Sequence, residues 1–129
     1  MVLKISIRYL TVCAALMCLM AQDCPDVQGN AKIEQGRELY LSYGCAVCHG
    51  ASGDGKGTVA RSSRMTPTNF YDPKTYRHGT DRVSIQTIIR NGVKDETSIM
   101  PSFGHFNQQE LEALSQYLVS LQNKESPNE

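Results

Sequence analysis

Three side chains set the chemical question in this 129-residue chain: Cys45, Cys48 and His49, within the stretch "SYGCAVCHGASGDGKGT" at residues 42–58. Two thiols in a C-x-x-C pair can work as a redox dithiol, or as half of a zinc site. With a histidine directly after the second thiol the pattern becomes C-x-x-C-H, the attachment signature of haem c. The glycines that follow, with Lys56, almost spell a phosphate-binding loop. These four chemistries make different demands on the rest of the chain.

The phosphate loop needs Ser or Thr directly after its lysine, to hold magnesium. Here Gly57 follows Lys56, and no buried strand precedes Gly50. These glycines are better suited to supply positive-φ turn positions in a surface loop. A structural zinc site takes four ligands, usually from a second Cys/His pair. His78 and His105 stand 27 residues apart, outside any paired spacing. A redox dithiol belongs at a strand-to-helix junction in a βαβ setting, and the elements here read as helices. The haem reading asks for two thiols one helical turn apart, to meet the two vinyl edges, and a neighbouring imidazole for the iron. Cys45, Cys48 and His49 meet that demand.

Haem iron then asks for a sixth ligand. Beyond the N-terminal segment two methionines remain, Met65 and Met100. Met100 lies in "SIMPSF", which reads as irregular chain between two helices, with Pro101 stiffening the backbone behind it. It is the expected ligand, the alternative being a methionine that fills a gap in the core. Met65, His78 and His105 are the rivals, and either histidine would make the haem bis-His.

The elements that must position these groups are helical. Ile33, Gly36, Tyr40 and Tyr43 share one helical face, with Leu39 beside them and Gly44 placed to stop the helix. Residues 50–79 are turn-rich without a sustained period, a length of irregular chain that calls for something large to organise it. Asp81 as N-cap and Gly92 as terminator frame a second helix, with an apolar stripe of Val83, Ile85, Ile88 and Ile89. Asn107 and Glu110 form a capping box ahead of Leu111, Leu114, Leu118 and Leu121 in the last helix. No repeat and no alternating strand stands out. The whole reads as a small all-α domain with little apolar core of its own, which a buried porphyrin would enlarge.

Residues 1–21 read as a signal peptide or an uncleaved anchor. Lys4 and Arg8 precede the largely apolar run at residues 9–21, which falls short of the roughly 20 residues of a membrane-spanning helix. Cleavage is expected near Ala21, although Leu19 fits the site poorly. Without that segment 11 basic residues face 13 acidic ones, a balance that argues against nucleic acid. Three cysteines then remain, Cys24, Cys45 and Cys48, too few for a disulfide framework. Cys24 would be a lipidation site only against the preceding Asp23, where such sites want a small neutral residue. Residues 22–32 read as linker, 33–123 as the domain and 124–129 as a polar tail.

In this order, "GRELYLSYGCAVCHGASGDGKG", "PTNF", "IIRNG", "MPSF" and "ELEALSQYLVSL" resemble the single-haem class I c-type cytochromes. The chain is similar to the small Met-ligated domains found as soluble carriers and as subunits of bacterial oxidases and dehydrogenases. The resemblance implies a cytochrome c fold, about three to five short helices wrapped around one covalently bound haem. It implies thioethers at Cys45 and Cys48, iron ligation by His49 and Met100, and a Pro67 carbonyl orienting the His49 ring, with Pro73 as rival. The implied function is one-electron transfer between redox protein partners, a donor dehydrogenase or cytochrome complex and an acceptor oxidase or reductase, in the periplasm or otherwise outside the cytoplasm. Membrane association would come only through an uncleaved N-terminus or a lipidated Cys24. A subunit of a larger oxidase or dehydrogenase, or a haem sensor or peroxidase-like protein with a labile sixth ligand, is the alternative. No enzymatic turnover by this chain is expected, and Lys56, Arg61 and Arg64 read as solvated charge.

Overall fold

The computed structural model describes residues 25–63, 65–95, 98–122 and 124–125. The expected leader, Cys24, Arg64 and the last four residues of the tail lie outside them.

The first helix, α1 (Pro25–Ser42), begins inside the stretch expected to be linker. Pro25 occupies its first position, where a missing N–H costs nothing and φ is already helical. Gln28, Asn30 and Ala31 are exposed, so no apolar stripe marks this part of the helix. The linker reading took a missing stripe for a missing helix. Gly44, at φ 76°, ends the segment and starts the next. The five-residue α2 (Cys45–His49) follows directly and is closed by Gly50 at φ 85°.

The span between residues 50 and 79 holds more order than its composition suggests. A short helix, α3 (Thr58–Ser62), and a 3-10 turn at Pro73–Thr75 interrupt it. Asp81 then caps α4 (Arg82–Asn91), its carboxylate accepting from the N–H groups of Val83 and Ser84, and Gly92 ends it. Ile85 and Ile89 are buried and Ile88 half-buried, but Val83 is 72% exposed. At 100° per residue, Val83 lies across the helix from Ile85 and so falls outside the stripe it was assigned to.

Met100 does not sit in irregular chain. Two short strands, β1 (Val93–Lys94) and β2 (Ile99–Met100), pair antiparallel with Val93 opposite Met100. Two residues are too few for alternation to show in the sequence. Pairing depends on Gly92, where a Cβ would press on the backbone of Met100, Pro101 and Ser102.

The last helix, α5 (Gln108–Leu121), carries the expected capping box between Asn107 and Glu110. It packs across α1, and the contact explains Gly36: a Cβ there would collide with the Ala113 carbonyl and the Tyr117 Cβ. Tyr40 stands beside Tyr117 with ring centroids 5.6 Å apart. Tyr40, Leu111 and Leu114 are the most deeply buried large side chains. Burying each such side chain contributes roughly 1.5–3 kcal/mol. Lys32 and Glu112 pair across the same crossing at 3.1 Å, half-exposed, which adds little in water. The described chain is thus mostly helical, as the sequence led us to expect.

Candidate functional site

Helix α2 is placed by its neighbours rather than by its own length. The Gly55 N–H donates to the His49 carbonyl at 2.7 Å and the Gly57 N–H to the Cys48 carbonyl at 3.1 Å. The Tyr40 hydroxyl, on the core side, donates to the Gly50 carbonyl at 2.5 Å. The loop after α2 folds around Asp54, a buried carboxylate that accepts from the Lys56 N–H at 3.0 Å. A negative side chain therefore occupies the turn where a phosphate loop would cradle its anion.

Cys45, Cys48 and His49 open onto one large cleft, together with Met65, Pro67, His78 and Met100. Its apolar walls include Phe70, Ile88, Ile89, Leu114 and Leu118, and it holds about 1040 Å³ of empty space out to its mouth. That is at the top of the roughly 300–1,000 Å³ range of small-molecule sites. Both cysteines are free thiols and half-buried. Burial pushes the Cys45 thiol up to about 11, the opposite of the lowered value that a reactive dithiol needs.

The imidazole of His49 is held from two sides. Its Nδ1 lies 3.1 Å from the Thr68 carbonyl. A carbonyl only accepts, so Nδ1 carries the proton and Nε2 keeps its lone pair. The ring also lies flat on Phe70, with centroids 4.7 Å apart and planes at 25°. Burial lowers the pKa of His49, with the Thr68 bond partly opposing it. The neutral ring that results is the form that binds metal.

The carbonyl that orients His49 was expected from Pro67, and the structure supplies it from Thr68 instead. The Pro67 carbonyl faces Gly55, where a Cβ would stand 3.0 Å from it. Pro67 itself remains on the cleft wall. The rival Pro73 opens the 3-10 turn and does not line the cleft. Nothing in the sequence marked Thr68 or the Tyr40–Gly50 bond, because both are backbone-carbonyl contacts made only by the fold.

Met100 and Met65 both reach the cleft, as does His78. His105 does not: it sits in an aromatic cluster, its ring centroid 4.9 Å from Phe106 and 5.7 Å from Tyr43. Lys56 and Arg61 are exposed. Among the described residues no three His, Cys, Asp or Glu side chains gather closely enough to hold a metal by themselves. The residues fit instead a large, flat, apolar group that brings its own equatorial metal ligands and takes only axial ones from the protein. Two thiols beside an accessible imidazole nitrogen, on an apolar cleft with thioethers in its wall, suit haem c.

This combination defines a c-type cytochrome, an electron carrier with covalently bound haem c and its iron. Residues 31–118 match the family described as cytochrome C oxidase, cbb3-type, subunit III, and the chain belongs to that family. It is 31% identical over 91 residues to a cbb3-type cytochrome c oxidase subunit CcoP of Helicobacter pylori (strain 52), covering 69% of this chain and 28% of that protein. To the subunit of the same description from Helicobacter pylori (strain ATCC 700392 / 26695) it is 30% identical over 92 residues, 71% of this chain and 28% of that one. The chain thus spans little more than a quarter of these relatives' length. No solved structure matches it.

Proposed function

We propose that this chain passes single electrons between redox protein partners outside the cytoplasm, through one haem held by Cys45, Cys48, His49 and Met100. The cysteines would carry the thioethers, and His49 Nε2 and the Met100 thioether would take the two axial positions. When bound, the haem supplies a one-electron Fe(III)/Fe(II) couple. The observation that carries the reading is that all four side chains line one apolar cleft, although Met100 lies 51 residues beyond His49 in the chain.

Each residue has a defined task. Thr68 fixes the His49 tautomer, so the nitrogen left for the iron is already unprotonated. Phe70 blocks one face of the imidazole and limits its rotation. The β1–β2 pair and Gly92 hold the backbone of Met100, which lets a flexible thioether meet its target at a lower ordering cost. Filling both axial positions leaves no place for a substrate, so the chain transfers electrons without turning anything over. A methionine axial ligand raises the potential relative to a second histidine.

The relatives are named as oxidase subunits, and this domain fits the part of an electron-relay module in such an assembly. Its partner contact would be small, below about 1,200 Å², as redox encounters are. Export would follow from residues 1–21. Among the described residues no helix is long and apolar enough to cross a membrane.

The test is the visible spectrum of the dithionite-reduced protein, expressed with haem c maturation, before and after carbon monoxide. A low-spin c-type spectrum that ignores the gas is expected. A prompt shift would move the assignment to a ligand-binding haem protein, and absence of covalent haem would end it.

A further inference from the structure

Haem c is an apolar disc with two carboxylates on one edge. Those propionates keep their charge, and a carboxylate among apolar walls needs a cation or hydrogen-bond donors. The wall of the cleft is uneven in this respect. Among the described residues it carries no Lys, Asp or Glu, and its only arginine is Arg77. Of the two histidines on it, His49 is committed to Thr68, and His78 is the residue next to Arg77. A smaller cleft adjoining the first is also lined by Arg77, His78, His49 and Met100. The basic pair therefore stands where the two clefts meet, at an exposed rim.

Arg77 is also held. Its guanidinium donates to the Ser98 hydroxyl at 2.6 Å, across to the segment that enters β2 two residues before Met100. Ser98 lines the cleft as well. A planar guanidinium tied at one nitrogen still presents other N–H groups, and its fork matches a carboxylate as an ammonium does not.

We infer that Arg77 is the counter-ion of the haem propionate edge, with Ser98 fixing its guanidinium, and that it is thereby a positioning residue that tunes the iron. The inference rests on haem occupying this cleft. A cation fixed on the haem edge favours Fe(II), which carries one positive charge fewer than Fe(III), and so raises the midpoint potential. The Ser98 link joins the same cation to the strand that bears Met100.

The experiment is a redox titration of the loaded wild-type chain and of Arg77→Gln, Arg77→Lys and Ser98→Ala, each checked by covalent haem stain and by the sulfur-to-iron charge-transfer band of the oxidised protein. Arg77→Gln is expected to lower the midpoint with that band intact. Arg77→Lys should fall nearer to wild type, and Ser98→Ala should move the midpoint less than Arg77→Gln. Added salt should narrow the gap between wild type and Arg77→Gln, because the site is at the surface. An unmoved midpoint in stained Arg77→Gln, or an equal shift in Ser98→Ala, overturns the inference alone. A wild-type chain without stain overturns the haem reading and this inference with it. A structure of the loaded wild-type chain reads the contact without any variant. A propionate oxygen within hydrogen-bond distance of Arg77 is expected, and both propionates turned to another edge would sink the idea.

Discussion

The crossing of α1 with α5 and the cleft beside it show two ways of making a core from one short chain. At the crossing, side chain meets side chain. Gly36 lets the Ala113 backbone come close, and Tyr40 and Leu114 are almost fully buried. At the cleft, apolar residues such as Ile88, Ile89 and Leu118 face a space of about 1040 Å³. Its walls come from α2, two loops, a two-residue strand pair and faces of α4 and α5. The crossing is stabilised by burial that the polypeptide supplies itself. The cleft walls carry apolar surface whose burial waits for the cofactor, and their backbone is held mainly by single hydrogen bonds such as Thr75 Oγ1 to the Asn69 carbonyl at 2.7 Å. Small domains have little stability to spare, so the second kind of core must depend on what fills it.

The largest effect should come from cutting the cofactor away. The Cys45→Ala/Cys48→Ala chain is expected to carry no covalent haem and to lose the cooperative melt of the wild type, read by haem stain and circular dichroism. A sharp melt at the wild-type temperature would show that the cleft does not need its occupant, and the contrast would dissolve.

Next is an attack on the crossing. Gly36→Ala puts a methyl group against a backbone carbonyl that cannot rotate away. It should cost about 2 kcal/mol, as core overpacking does, measured by denaturant titration. The visible spectrum of the folded fraction should stay unchanged, because Gly36 lies away from the cleft. A changed spectrum at unchanged stability would mean that the two regions are coupled more tightly than their contacts suggest.

A smaller loss is expected at the end of α5. Asn107→Ala removes one half of the capping box and should cost about 1 kcal/mol, seen as a shift of the midpoint with an unchanged denaturant slope.

The smallest effect is in acid. The Ser84 hydroxyl, then the backbone N–H groups of Ser84 and Val83, hold the Asp81 carboxyl below its usual 3.8. A depressed folded pKa gives stability that is present above the unfolded value and lost as pH falls through the folded one. Melts of wild type and Asp81→Asn should therefore run in parallel at neutral pH and converge below 3.8. A constant gap down to the most acid buffer would mean that the cap does not depend on the charge.

Local signals are strong where function needs few residues close together. C-x-x-C-H at residues 45–49 specified the attachment helix, and Asp81, Gly92, Asn107 and Glu110 marked helix ends, because capping is a matter of neighbours within four positions. The period of Leu111, Leu114, Leu118 and Leu121 marked a buried face. Reading by period failed where exposure erased it, at the start of α1, and where it included a residue from the wrong side, at Val83. It also missed a strand pair two residues long.

The sequence by itself thus determined the ligand types, the helices that bear them and the presence of a glycine contact at Gly36. The tertiary structure decided which groups share a space. It chose Thr68 over Pro67 for the His49 proton, brought Met100, Met65 and His78 to the cleft and left His105 out, and set Arg77 against Ser98. The reason is that these contacts join residues roughly twenty or more positions apart, or turn on which way a carbonyl points. No local propensity encodes either until the packed chain fixes both ends.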